Sequence, residues 1–141
     1  MVAAVFRIAA LALLCVGCTT VQFTQRSFEG TEWRIAAING EATPSSGVYP
    51  MRFQGGRVSV GLGCNGGSGD YRLVGDQLKV APLAKTEREC TPIHRMELEA
   101  GAIRILLLPM QISQNQRTGG TILANSAGSL ELVPVVIGKR L

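Results

Sequence analysis

Glycine, asparagine and proline cut most of this chain into runs too short for a helix of useful length. From about Gly30 onward, runs that alternate apolar and polar residues occupy 32–38, 48–53, 57–62, 70–74, 77–81 and 85–89, and later 110–116, 121–125 and 129–136. Between them stand Asn39-Gly40, Gln54-Gly55-Gly56, Gly75-Asp76, Gly119-Gly120 and Ala127-Gly128, residues that tolerate the positive φ of tight hairpin turns. Alternation with a period of two turns one face of each strand inward, so the pattern predicts many short antiparallel strands. One segment breaks it. In 92–108, PIHRMELEAGAIRILLL, the residues Ile93, Met96, Ala100, Ile103 and Leu107 recur at spacings of three and four. That is a helical face, expected to join Trp33 and Tyr71 in one core. Thr91-Pro92 supplies an N-cap and a first-turn proline, and Pro109 a stop. The expected fold is mainly β with one helix (α+β): a small antiparallel, partly closed barrel or curved sheet with a single helix packed against it.

A length of 141 residues with 46% hydrophobic content suits one domain. Its N-terminus reads differently from the rest. Residues 1–7 end in a single arginine, Arg7, and 8–16, IAALALLCV, form a short apolar run. A membrane-spanning helix needs about 20 apolar residues, whereas Gly17, Thr19 and Thr20 end this run early, the pattern of a signal-peptide h-region. Gly17-Cys18 then resembles the end of a bacterial lipobox, with Cys15 in the place where leucine is usual. The expected processing leaves Cys18 as a diacylglyceryl-bearing mature N-terminus, with ordinary cleavage or retention as the alternative. A redox pair Cys15-x-x-Cys18 would need a βαβ context, and these cysteines sit in a hydrophobic leader. The expected organisation is a signal peptide at 1–17, a lipidated tether at 18–28, a domain at 29–137 and a tail at 138–141. Thr19 after the cysteine, in place of aspartate, points to an outer-membrane anchor facing the periplasm in a two-membrane cell.

Removing 1–17 takes Arg7 from 14 basic residues and none of 10 acidic ones, leaving 13 against 10, or +3. The basic residues stand singly, apart from Lys139-Arg140, without the tract that phosphate neutralisation favours. Nucleic acid is therefore not expected as a partner. Export lets disulfides persist, and processing leaves two cysteines, Cys64 and Cys90. A bridge between them would contribute roughly 3–4 kcal/mol by chain-entropy estimates. Two buried free thiols are the alternative.

Gly30-Thr31-Glu32-Trp33 with Ile38-Asn39-Gly40 resembles the opening G-T-x-W…I-N-G of META (HslJ-like) domains. Gly63-Cys64-Asn65, Gly69-Asp70-Tyr71, Leu78, Pro82-Leu83-Ala84-x-Thr86, Cys90 and Met96-Glu97-x-Glu99 resemble that family's later series in order and spacing. Glu89 departs from the small residue more usual before the second cysteine. The resemblance implies a small envelope domain, often on a lipoprotein, associated with stress tolerance and with motility or secretion. It carries over no catalytic residue.

The residues themselves offer three lures toward chemistry. Gly61-Leu62-Gly63-Cys64-Asn65-Gly66 fits the letters GxGxxG, but a dinucleotide fingerprint must open a helix, and a turn and strand follow here. Cys90 and His94 could pair as thiolate and imidazole, yet a single histidine does not reach the usual zinc spacings. Glu97 and Glu99, two apart on a helix, point in different directions. No catalytic, cofactor or metal residue is assigned. The expected function is a non-enzymatic envelope binding or stress-tolerance module with a protein or glycan partner. The alternatives are an inhibitor of a secreted hydrolase, using loops at 66–70 or 41–49, and a hydrolase with an unrecognised site.

Overall fold

Most inward residues of the barrel strands follow the expected alternation. In the computed structural model, which describes residues 25–45, 49–89 and 93–135 and the side chains there except those of Gln25, Arg26, Ile93 and His94, ten strands form one sheet. The leader, Cys18, Cys90, the Thr91-Pro92 cap and residues 136–141 lie outside the described residues. Strand β1 (Thr31–Ile38) is followed by the short β2 (Glu41–Ala42), then β3 (Pro50–Gln54), β4 (Arg57–Gly61), β5 (Gly66–Val74), β6 (Gln77–Val80) and the short β7 (Ala84–Lys85). The helix α2 (Ile93–Leu106) precedes β8 (Met110–Gln114), β9 (Thr121–Asn125) and β10 (Gly128–Pro134), and one helical turn, α1 (Gln25–Phe28), precedes β1.

Eight of the strands close into an antiparallel barrel. Their order is β1-β3-β4-β5-β6-β8-β9-β10, and β10 returns to pair with β1 through Trp33↔Pro134 to Ile38↔Leu130. Met51 and Phe53, Val58 and Val60, Tyr71, Leu78, Met110 and Ile112, Leu123, and Leu130 and Leu132 fill the interior. An eight-stranded barrel is just wide enough for side chains to fill it. Ile35 and Ile38 are both buried, although strict alternation would turn one of them outward. The register shift between Ile35 and Ala37 resolves this, because a bulge adds a residue and resets the face.

The two helices sit at opposite mouths. At one, Gly101 of α2 lies against Ile38 and Asn39, where β1 ends, and Asn125 Nδ2, at the end of β9, donates to the Ile105 carbonyl at 2.7 Å. At the other, Phe28 of α1 packs on Phe53 at 4.9 Å and Trp33 at 5.8 Å between ring centres, and Phe53 meets Tyr71 edge-on at 4.9 Å.

Several expectations are corrected. Phe28, placed at the end of the tether, is 1% exposed and belongs to the core; packing its ring on Phe53 and Trp33 takes a large apolar surface out of water. The helix buries Leu98, Ala102, Ile105 and Leu106, while Met96 is 44% and Leu107 54% exposed. Both rows recur at helical spacing, so periodicity could not choose between them. The small Gly101 and Ala102 let the first row approach the barrel closely. Ile103 and Trp33 are half-buried against the core, and Tyr71 is buried as expected. Residues 66–70 are part of β5, not a loop, and of the expected strand at 85–89 only Lys85 is strand, as the end of β7.

Candidate functional site

The glycine-rich GxGxxG run forms the turn between β4 and β5. Gly61 ends one strand and Gly66 begins the next, so no helix starts there to receive a pyrophosphate. Gly63 has φ +96°, and a Cβ there would lie 2.8 Å from the Tyr49 hydroxyl. That hydroxyl is buried and has no hydrogen-bond partner among the described residues. Burial pushes the Tyr49 phenol up from its ordinary value, a shift that Arg95 opposes and Glu99 adds to.

The next residues build a polar pin. Asn65 Oδ1 accepts from the Arg88 amide at 2.8 Å and from Thr86 Oγ1 at 3.1 Å. Its Nδ2 donates to the Arg88 carbonyl at 3.0 Å and to both Glu99 carboxylate oxygens at 3.0 and 3.2 Å. Asn65 itself is 8% exposed. A buried amide must find partners or lose a free energy comparable to a hydrogen bond each time it fails, and here one side chain ties the β4–β5 turn, the segment after β7 and the helix together.

Beside the pin opens a cleft of about 300 Å³. Lys85, Thr86, Glu87 and Arg88 form one wall, Met96, Glu99, Ala100 and Ile103 the other, and Asn65 the floor. Lys85 Nζ pairs with Glu87 at 2.6 Å on the rim, and the ammonium holds the Glu87 carboxyl below its ordinary value, chiefly through that hydrogen bond. Glu99 thus faces the pin while Glu97 is exposed, in keeping with two residues of a helix that point apart.

At the far mouth, Glu29 Oε2 accepts from Tyr71 Oη at 2.8 Å and from the Gly56 amide at 3.2 Å, and Oε1 accepts from the Gly55 amide. These bonds, that from Tyr71 first, hold the Glu29 carboxyl below its ordinary value. Gly55 and Gly56 have φ of 62° and 72°, which turns successive amides toward one carboxylate. Sequence reasoning quoted Asn65 without assigning it a role and passed over Glu29. The signal for Glu29 was its place directly before the Gly30 turn. A second recess, of about 390 Å³, is lined by Trp33, Arg34, Pro50 and Val133–Val135.

Of the expected site residues, Cys18 and Cys90 lie outside the described residues, as does the His94 side chain. Cys64 Sγ lies 3.9 Å from the carbonyl oxygen of Glu89, the residue before Cys90. Among the described residues, no cluster of three or more His, Cys, Asp or Glu is placed to hold a metal, and no helix is long and apolar enough to cross a membrane.

Two solved structures share the fold. One, an NMR structure, superposes with a TM-score of 0.67 at 20% identity over 78% of this chain and 93% of its own. Another, the NMR structure of a protein from Burkholderia xenovorans, gives 0.61 at 20% identity over 79% and 86%. No curated protein matches the sequence. The META domain profile matches residues 26–134, from the helical turn that plugs one mouth to the last residue of the strand that closes the barrel, and the chain belongs to the META domain family.

Proposed function

We propose that this chain is an envelope lipoprotein whose META barrel serves as a non-enzymatic binding module, carried on a lipid at Cys18. The binding reading rests on one observation above all: the barrel interior is filled by side chains, with Phe28 in one mouth and Leu98, Ala102, Ile105 and Leu106 across the other. A ligand cavity inside a barrel needs empty, lined volume, so recognition falls to the outer surface. The polar groups in the shared motif are spent on holding the helix, since Asn65 and Glu99 bond to each other. The inhibitor alternative relied partly on a free loop at 66–70, which is paired strand.

The lipoprotein reading rests on the leader and the Gly17-Cys18 junction. Thr19 after the cysteine favours the periplasmic leaflet of the outer membrane. Cys18→Ser is expected to abolish acylation and membrane retention. An unchanged mature mass with unchanged fractionation refutes it. A disulfide between Cys64 and Cys90 belongs to the same proposal, supported by the closeness of Cys64 to Glu89 and by the oxidising compartment that export implies. Thiol labelling of the exported, unreduced and unfolded protein is expected to modify neither cysteine; labelling of both eliminates the bridge.

A further inference from the structure

Past β7 the chain stays close to β5 without being paired on its outer side. The Thr86 amide donates to the Gly66 carbonyl at 2.9 Å, and the Arg88 amide and carbonyl are both taken by Asn65. Residues 86 and 88 therefore turn their backbone groups inward. In an extended antiparallel chain the groups of alternate residues face opposite edges, so the amides and carbonyls of Lys85 and Glu87 face outward. No described group is bonded to them. Unpaired strand edges of this kind are templates for another extended chain.

The segment that carries this outward edge and the second apolar row of α2 line one cleft. Lys85 to Arg88 form one wall of the cleft, and Met96, Ala100 and Ile103 stand on the other. Met96 is among the few large apolar side chains left exposed. A row of backbone donors and acceptors beside an apolar shelf is the pair of features that recognises an extended peptide: the edge bonds its main chain, and the shelf takes alternate side chains. At about 300 Å³ the cleft lies at the small end of ligand sites, which suits one anchoring side chain with its own backbone.

We propose that the cleft between residues 85–88 and the helix α2 binds an extended peptide segment, which adds as a strand to the Lys85–Glu87 edge and sets one medium-sized apolar side chain on Met96, Ala100 and Ile103. This assignment rests on the reading of the domain as a binding module and names the partner of one face.

The probe is a displayed library of short random peptides, selected against the full mature chain. Enriched sequences are expected to share an apolar residue. In the amide spectrum they are expected to shift Lys85, Glu87 and the Met96 to Ile103 stretch. Glu87→Pro removes one outward amide while leaving the inward bonds of 86 and 88, and should weaken binding roughly five- to tenfold, as the loss of one hydrogen bond does. Ile103→Glu sets a charge on the shelf and should weaken it at least about tenfold. Val74→Glu, at the opposite mouth, should change nothing. Both cleft variants must keep the parent amide spectrum, which separates lost binding from lost fold. Selection of no peptide, shifts at another face, pairing of two copies through this edge, or unchanged affinity in both cleft variants overturns the assignment. None of these outcomes bears on Cys18, so the envelope reading stands or falls by its own test.

Discussion

Asn65→Leu keeps the branching and the number of side-chain heavy atoms and removes the amide by which the β4–β5 turn holds the helix. Oδ1 loses two bonds, from Thr86 Oγ1 and the Arg88 amide. Nδ2 loses one to the Arg88 carbonyl and one shared by the two Glu99 oxygens. Three neutral bonds at about 1 kcal/mol each and one to a charged group at about 1.5–3 kcal/mol give a gross loss of roughly 5 kcal/mol. Thr86 and Arg88 are exposed, so water recovers part of this. The expected net cost is about 2–4 kcal/mol. Urea unfolding measures it as a lower midpoint at unchanged slope, since the surface exposed on unfolding stays the same. Hydrogen exchange supplies a local readout: the Arg88 amide, bonded in the parent to Asn65, should exchange far faster in the variant under native conditions, whereas the Leu123 and Leu132 amides of the barrel wall should change only by the global loss. A cost below about 1 kcal/mol, or an Arg88 amide as protected as before, refutes the assignment of Asn65 as the pin.

Phe28→Ala is expected to cost about 3–5 kcal/mol and Trp33→Ala distinctly less, because the first ring is fully buried and the second half-buried; thermal unfolding that ranks them the other way contradicts the plug. Gly63→Ala should destabilise by about 1–3 kcal/mol, from its positive φ and the contact with Tyr49, and adding Tyr49→Phe should recover part of that loss in a double-mutant cycle. The Glu29 carboxyl is held low by Tyr71 and the two glycine amides, so its bonds stabilise the fold above the ordinary glutamate pKa. That contribution is lost as pH falls through the lower folded value. Glu29→Gln should flatten this part of the acid limb of stability against pH, and an unchanged limb counts against the contact.

Much of the barrel was legible because its rules are local. Asn39 and Gly40 carry φ of 52° and 80°, and residues that tolerate such values were visible in the sequence as hairpin turns. Alternation at Met51 and Phe53, or Leu130 and Leu132, set the inward face directly. The first half of β5 was not legible, since Gly66, Gly67 and Gly69 have no side chains to alternate. Their reason is spatial: a Cβ at Gly66 would lie 2.8 Å from the Val60 carbonyl oxygen, and one at Gly69 2.9 Å from that of Ala81. The helix face was misread for a related cause. Its two apolar rows share one period, and only the approach of the barrel, through Gly101 beside Asn39, decides which of them is covered. Asn65 stood in a quoted motif, but its partners Arg88 and Glu99 are distant in sequence. The aromatic plug escaped because Phe28 is a single apolar residue after a polar stretch, with no pattern to mark it.

The position of α1 bears on how the domain would stand on a membrane. On a chain acylated at Cys18, residues 19–24 link the lipid to α1, and so short a stretch reaches roughly 20 Å at full extension. The mooring point would be the mouth that Phe28 closes, held near the headgroups, with Val74 and the Gly55-Gly56 turn beside it. The opposite mouth carries α2, the Asn65 pin and the cleft, and the length of the barrel would separate it from the bilayer. A lipid at Cys18 would therefore orient the molecule as well as retain it, turning the cleft toward the aqueous compartment and giving a partner an approach from the side away from the membrane.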